Sequence, residues 1–431
     1  MDSRDAKPIR TNLDNKQRRN SITFEQMPMK GTIIRTRPLS LGRRRFLAMI
    51  AATGGTLLTR VPATYAAPDE GAFTMGSFKD LSLRTARSCV SEDWIRPGGP
   101  YHEMYTRDAF WIAQALRDTD VSTKAYKRIA GQQYTNGQIS TMMFRDGTRE
   151  RKDDESSILF IIWTYILWKA GVRLSSEPVF KAWAYIDGQA KKGKYITGSG
   201  TFHYWLDTLA FGTPDNISYV QGLYALATRC ARLMGLESSP AKQTVAEDAY
   251  RSLYKPELGT MTLSENTVFL DVSCLVGDYL SFHLLGQPIL SPEMVQGTIN
   301  AFSPVFYPEG DFLGFMVTST TSGDYLDPSW LPESTDNVYG EYQNGGSWLL
   351  YDAMALGAAA LHGDPNARVL LLARFRSEIQ KDRALHEYLS THPYSPHYGV
   401  GPDFRRDYGW SAFAYLVGEK VGLPNEEPVL A

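Results

Sequence analysis

Two acids stand in stretches otherwise poor in charge. In "GTFHYWLDTLAFGTPDN" (200–216), Asp207 is the sole acid between Gly198 and Pro214 and sits among Trp205, Leu206, Leu209 and Phe211. Apolar surroundings raise a carboxyl pKa and keep the group protonated near neutral pH, as a proton donor requires. A cap at the start of a short helix is the structural alternative for Asp207. In "DRALHEYLSTHPYSPHYGVGPDFRRDYGWSAFAYL" (382–416), Glu387 precedes Tyr388 and a loop rich in His, Pro and Tyr. It would serve as a base toward water, with Asp403 and Asp407 competing for the role on spacing alone. One carboxyl as proton donor and one as base or nucleophile is what glycoside hydrolysis needs.

Other stretches supply groups that could hold a sugar, whose C–H faces stack on rings while its hydroxyls take hydrogen bonds. "YHEMYTRDAFWIAQAL" (101–116) sets Arg107 and Asp108 before Phe110 and Trp111. Asp108 reads equally as a helix N-cap that suits the helix dipole. "STDNVYGEYQNGGSWLLYDAMALGAAA" (334–360) carries Glu341, Gln343 and Asn344, then Gly345 and Gly346, then Trp348. The double glycine would let backbone approach a ligand, or simply make a turn into a helix. "RKDDESSILF" (151–160) resembles a diphosphate-binding cluster, but a single cluster without a second reads as an acid-rich first turn capped by Ser156 or Ser157. Asp154 and Glu155 stand next after Asp207 as proton donors. No triad or phosphate loop stands out, and neither does any set of ligands among the seven histidines.

The elements that must position these groups are helical. About twelve helical stretches are predicted, near 77–90, 107–117, 122–133, 155–170, 177–192, 217–235, 242–254, 266–284, 291–302, 345–362, 366–380 and 408–420. Strand signals are scarce. "SSILFIIWTYILWKAG" and "VFLDVSCLVGDYLSFHLLG" are apolar on nearly every face, whereas "TKAYKRIAGQQ" and "ARVLLLARFRSEIQKD" are amphipathic. An inner ring of buried helices within an outer ring of amphipathic ones satisfies both patterns: an all-α (α/α)6 toroid. The connections 134–155, 193–216, 303–346 and 381–407 are long and aromatic, and would build a cleft at one end.

The N-terminus reads as a leader. "LGRRRFLAMIAATGGTLL" places Arg43, Arg44 and Arg45 before a short apolar run, and "ATYAAP" offers a cleavage site near Ala66 or Ala67. That is a twin-arginine export signal within an N-terminal extension over 1–66, followed by a single catalytic domain over 67–431; an uncleaved anchor is the alternative. Residues 1–66 hold 13 of the 45 Lys+Arg and 4 of the 47 Asp+Glu, leaving 32 basic and 43 acidic residues. An acidic body argues against nucleic acid or an anionic membrane as partner. Cys89, Cys230 and Cys274 lack metal-ligand spacing and read as buried thiols.

Taken in order, "YTRDAFWIAQAL", "DDESSILFIIW", "YWLDT" with "YVQGLYALATRCARLMG", "YQNGGSW" and "HEY…DYGWSAFAYL" resemble the six-hairpin glycosidases. That (α/α)6 superfamily includes glucoamylases, trehalases, and processing and debranching α-glucosidases. The likeness spans roughly 95–420. It implies that Arg107 and Asp108 bind hydroxyls of the terminal sugar, that Asp207 is the proton donor and that Glu387 is the base of an inverting enzyme without a cofactor. Trp111, Asp154, Glu155, Trp205, Gln221, Glu341, Gln343, Asn344, Trp348 and Trp410 are the remaining candidates for substrate binding. Arg107, Asp108 and Gln343 are expected at the closed end of an aromatic cleft, backed by Trp348. "TLAFGTPDN" departs from the glycine or proline context usual after the acid, which leaves the sugar open. A chain of this length without a starch-binding module or β-sandwich suits a small saccharide, expected to be an α-linked glucoside. A polysaccharide lyase or sugar epimerase on the same toroid would want a His or Tyr base, and a non-catalytic carbohydrate-binding protein would need no acid at all. The implied partners are a carbohydrate and the twin-arginine machinery, with a periplasmic or secreted location and no stable membrane association after cleavage.

Overall fold

The computed structural model describes residues 73–430, except 151, 152 and 309. The expected leader lies outside the described residues. Among those described, twelve α-helices follow one another: α1 (Met75–Ser88), α2 (Thr106–Leu116), α3 (Thr119–Ala130), α4 (Glu155–Lys169), α5 (Ser176–Gln189), α6 (Ser218–Leu233), α7 (Pro240–Arg251), α8 (Val276–Leu285), α9 (Pro292–Ala301), α10 (Leu349–Leu361), α11 (Pro365–Ile379) and α12 (Ala414–Lys420). None is long and apolar enough to cross a membrane.

The even-numbered helices form the inner ring. Each packs on the next, α2 on α4, α4 on α6, α6 on α8 and α8 on α10; α10 meets α12, and the 3-10 turn Gly409–Phe413 ahead of α12 packs back on α2. Burial follows from composition. Every residue of α4 from Glu155 to Tyr165 is buried, as are Ser218–Ala231 of α6 and Leu349–Ala359 of α10. Outer helices bury one stripe only, such as Ser122, Ala125, Tyr126 and Ile129 of α3. A short antiparallel pairing of Phe73–Thr74 with Pro428–Leu430 ties the first described residues to the last. The architecture is the (α/α)6 toroid that the alternation of apolar and amphipathic segments predicts.

Connections from an inner helix to the next outer one are short, whereas those from an outer helix back to an inner one are long. All long loops therefore gather at the end where inner helices begin. Caps differ accordingly. Side chains of Thr74, Asp118, Ser239, Ser291 and Asp364 cap outer helices, and proline follows directly in α7, α9 and α11. The residues preceding α2, α4, α6, α8 and α10 make no such bond.

Three helix starts fall later than the sequence pattern predicts, one of them that of 408–420, where the 3-10 turn Gly409–Phe413 precedes α12. Residues 266–284 are not one helix: Leu270–Asp271 pairs with Thr318–Ser319, and the Asp271 carboxylate accepts from Ser273 N, so a 3-10 turn precedes α8. Gly345 takes φ +89°, and a Cβ there would stand 2.6 Å from the Tyr325 ring. The double glycine thus lets loops pack on one another, and α10 begins only at Leu349. The three cysteines are buried free thiols, as expected.

At the crossing of α6 and α8, a Cβ on Gly277 would lie 2.3 Å from the Gly222 carbonyl carbon. Gly277→Ala is expected to lower stability by about 1–3 kcal/mol, since neither backbone can yield. Gly188→Ala in α5 meets open space and should be neutral or stabilising by up to about 1 kcal/mol. Denaturant unfolding of both variants checks the contrast.

Candidate active site

The first turn of α2 points its charged side chains inward. Asp108 is 1% exposed and lies three residues inside the helix, whose N-cap is Tyr105. The capping role is therefore overturned. Arg107 donates from Nη1 to Glu155 Oε1 at 2.7 Å, at the start of α4, and its Nε stands 3.5 Å from Asp108 Oδ2. The guanidinium also covers the face of Trp410, 5.2 Å from the ring centre. Tyr408 donates its hydroxyl to Asp108 Oδ1 at 3.2 Å. Burial raises the Glu155 carboxyl to about 8, with Arg107 opposing the shift. Asp108 is raised by burial in the same way, again against Arg107.

Asp207 reaches this cluster from the loop before α6. With Arg107, Tyr105, Asp153 and Tyr204 it lines a cavity of about 80 Å³. Gln343 holds it: Nε2 donates to Asp207 Oδ1 at 2.9 Å and to the Trp205 carbonyl at 2.8 Å, while Oε1 accepts from the Thr208 backbone and hydroxyl. Gln343 is thus a holder of the acid rather than a free amide for sugar hydroxyls.

Glu387 is 2% exposed, whereas Asp403 and Asp407 are exposed on the loop surface. Its carboxylate accepts from Arg405, whose other terminal nitrogen donates to Asp336 at 2.8 Å. Burial raises Glu387 to about 7; Arg405 opposes this, and the charges of Asp108 and Asp207 add to it. The carboxylates of Glu387, Asp108 and Asp207 therefore share one neighbourhood. The Arg405 guanidinium covers the ring of Tyr342 at 4.9 Å, and Tyr342, Trp348, Trp410, Tyr351 and Tyr388 pack ring against ring. The Trp410 N–H and the Tyr351 hydroxyl are buried without a protein partner.

Several expected ligand groups lie elsewhere or are already committed. Gln221 accepts from Tyr195 N and donates both amide hydrogens, to the Gly193 and Ala246 carbonyls. Asn344 donates to the Leu326 and Asn337 carbonyls and accepts from Leu326 N. Both are struts between loops. Trp111 is core, edge-on to Phe110 and Phe413, and Trp205 packs on Tyr351 with its N–H on Ser273. Trp348 is buried too, donating to the Tyr342 carbonyl, so it backs the site without opening on it. Asp154 turns to His203 and Tyr195, and the cap of α4 comes from the Asp153 carboxylate on Ser156 N rather than from a serine side chain. Glu341 lies beside Tyr388, with two serine hydroxyls on one oxygen. Arg405, Tyr408, Tyr351 and Asp336 join the site unforeseen; Arg405 lay between the two acids weighed as bases in "PDFRRD". No group of residues suited to a metal ion occurs among the described residues.

Solved glycosidases share this all-α toroid. A structure described as a wild-type glycosidase superposes with a TM-score of 0.56 at 16% identity, over 81% of this chain and 98% of that one. A family GH63 mannosylglycerate hydrolase from Thermus thermophilus, solved with Tris and D-glycerate, gives 0.56 at 10% identity over 79% and 99%. An uncharacterized conserved protein from the same organism gives 0.53 at 11% identity over 79% and 99%. At such identities the likeness establishes the fold. No family model matches the sequence, and no curated protein matches it either.

Gln343→Met tests the brace on Asp207. It leaves the Thr208 hydroxyl and the Trp205 carbonyl without their partner in a buried setting, so the unfolding free energy should fall by about 1–3 kcal/mol. Urea denaturation that matches the parent protein would show that the amide is not a brace.

Proposed function

We propose that this protein is an exported, inverting glycoside hydrolase for a small or terminal glycosidic substrate, α-linked and glucoside-like. The observation that carries the reading is a cavity lined by both Asp207 and Arg107, the partner of buried Asp108, with the charges of Asp108 and Asp207 acting on the buried Glu387. The glycosidases sharing the toroid support the reaction class, and the solved complex of one mannosylglycerate hydrolase with glucose supports a hexose ligand. The arginine run before the apolar stretch at 46–58 supports export through the twin-arginine machinery to the periplasm or beyond.

The chemistry follows from the hydrogen bonds. The Gln343 N–H engages Asp207 Oδ1 and orients the carboxyl group, which gives its proton to the leaving oxygen. Glu387 takes the proton of a water attacking the anomeric carbon from the opposite face. Arg405 fixes the direction of that carboxylate and favours its ionised form. Asp108 accepts from sugar hydroxyls, and Arg107 donates to them. Asp207→Asn keeps the shape and loses the proton, so kcat should drop about 10³-fold with the fold intact. The assay is a panel of α- and β-linked disaccharides and nitrophenyl glycosides, with the first-formed anomer read by NMR. Retention of configuration, or full activity in Asp207→Asn, would sink the mechanism.

Glu387 must be ionised to act as a base, so kcat/KM should fall as pH drops through about 7. Replacing Arg405 by Gln removes the cation that favours the charged form. The acidic limb of the Arg405→Gln profile should therefore move to higher pH, and a limb that stays in place would dissociate Arg405 from the base.

A further inference from the structure

Residues 385–387 and 405–408 lie side by side as a short antiparallel ladder. Glu387 N donates to the Arg405 carbonyl, Tyr408 N donates to that of Leu385, and His386 stands opposite Arg406. Successive side chains of such a ladder point to opposite faces. One face carries the Glu387–Arg405 pair, which the charges of Asp108 and Asp207 reach. The other carries Arg406 and His386, the latter 1% exposed. There His386 Nδ1 stands 3.2 Å from Glu378 Oε1, and Nε2 stands 3.1 Å from Asp382 Oδ2. A neutral imidazole has one N–H and would turn a lone pair on one of these carboxylates. Only the imidazolium donates to both.

The surrounding charges ask for the same form. The first turn of α10 supplies Asp352, α11 supplies Arg374 and Glu378, the turn after α11 supplies Asp382, and the ladder supplies Arg406. Arg374 pairs with Asp352 and with Glu378, each at 2.8 Å, and Arg406 stands 3.1 Å from Asp382. Three carboxylates thus face two guanidiniums, and a protonated His386 brings the third positive charge. Burial alone would lower the imidazole pKa, but Asp382 and Glu378 outweigh it and raise the group to about 9. The backbone of His386 is tied as well. Its N–H donates to Glu378 Oε1 at 2.6 Å, and its carbonyl accepts from the Ser411 hydroxyl at 2.7 Å. A Cβ on Gly401 would come within 2.7 Å of the ring, so that side is closely covered.

We propose that the His386 imidazolium is a positioning residue for the base: by bridging Glu378 and Asp382 it locks the ladder that aims Glu387 and Arg405 into the site. The proposal rests on the hydrolase reading of Glu387 and adds what holds that carboxylate in place. The folded chain binds the imidazole proton more tightly than the unfolded chain does. The lock is therefore complete below about pH 6.5, the ordinary histidine value, and is lost as pH rises through about 9.

The test uses the full chain, labelled with nitrogen-15 histidine for NMR, and a glycosyl fluoride as substrate. Fluoride leaves with little proton donation, so ionisation of Asp207 does not mask an alkaline limb. The His386 signals are those lost in His386→Gln or, should that variant not fold, those displaced most in Asp382→Asn. Both ring nitrogens should carry protons at about pH 7, and a neutral ring there overturns the proposal. In His386→Gln, kcat should fall about 10- to 100-fold with KM within about twofold, because a displaced base leaves sugar binding intact. Asp382→Asn keeps an acceptor and removes one negative charge, so the alkaline limb of kcat should move down by about one pH unit. A merely structural histidine would lower stability and leave that limb in place. An absent or unmoved limb, or parental kcat in folded His386→Gln, overturns the proposal. If no glycosyl fluoride is hydrolysed, the hydrolase reading fails on its own, and amide exchange at Glu387 still decides the lock. At about pH 8 that exchange should be about fivefold faster in Asp382→Asn than in the parent protein, as a one-unit pKa shift implies. Equal exchange overturns the lock.

Discussion

Six inner helical segments that all begin at one end of a closed ring form the constraint on which this structure depends. Each helix N-terminus carries partial positive charge, and crowding these ends together favours acidic groups nearby. Asp108, Glu155 and Asp352 occupy first turns of inner helices, all buried. Outer helices use caps and prolines to turn sharply, so the opposite end needs little chain. The N-cap residues of α2, α4, α6, α8 and α10 make no side-chain cap bond, and the long loops crowd over the starts of these helices. The division of labour between the two ends follows from helix polarity and loop length rather than from any one residue.

The acidic cluster persists because its members are paired unequally. Arg107 joins Glu155 closely and Asp108 loosely, while Tyr408 supports Asp108 from the last inner segment. Breaking a buried pair by deleting one partner costs far more than the pair itself contributes, so such a network resists piecemeal change. Arg405 does the corresponding work on the other wall, shared by Glu387 and Asp336. Two arginines thus divide the excess of negative charge between the two walls.

Much of this was legible in the sequence because helix period and burial are local properties. The all-round apolar run at 156–171 reads directly as an inner helix, and the stripe at 123–133 as an outer one. Asp207 stood out because its stretch has no other charge, and Glu387 because rings surround it. Side-chain commitments were not legible. Gln221 and Asn344 look like ligand amides until their backbone partners, 18 to 28 residues away for the longest bonds, come into view. Asp108 looked like a cap because an acid at a helix mouth suits that role, yet it lies two residues past the first helical residue, Thr106, with its side chain buried. Arg405 carries no local mark at all, since its importance lies in Glu387, 18 residues earlier, and in Asp336, 69 residues earlier.

The seam of the toroid bears on how the chain is assembled during synthesis. Gly409–Phe413 packs on α2, and residues 428–430 pair with 73–74. A nascent chain lacking those last segments has an open arc with Trp111 and Ile112 deprived of a facing wall. Local helical hairpins can form as they emerge, but sealing the arc brings together residues 300 positions apart. Such closure is slow relative to hairpin formation, because the entropy of a long loop is lost before its contacts form. The aromatic centre, walled by Trp410 on the late side and Arg107 on the early side, is therefore the last part of the molecule to mature.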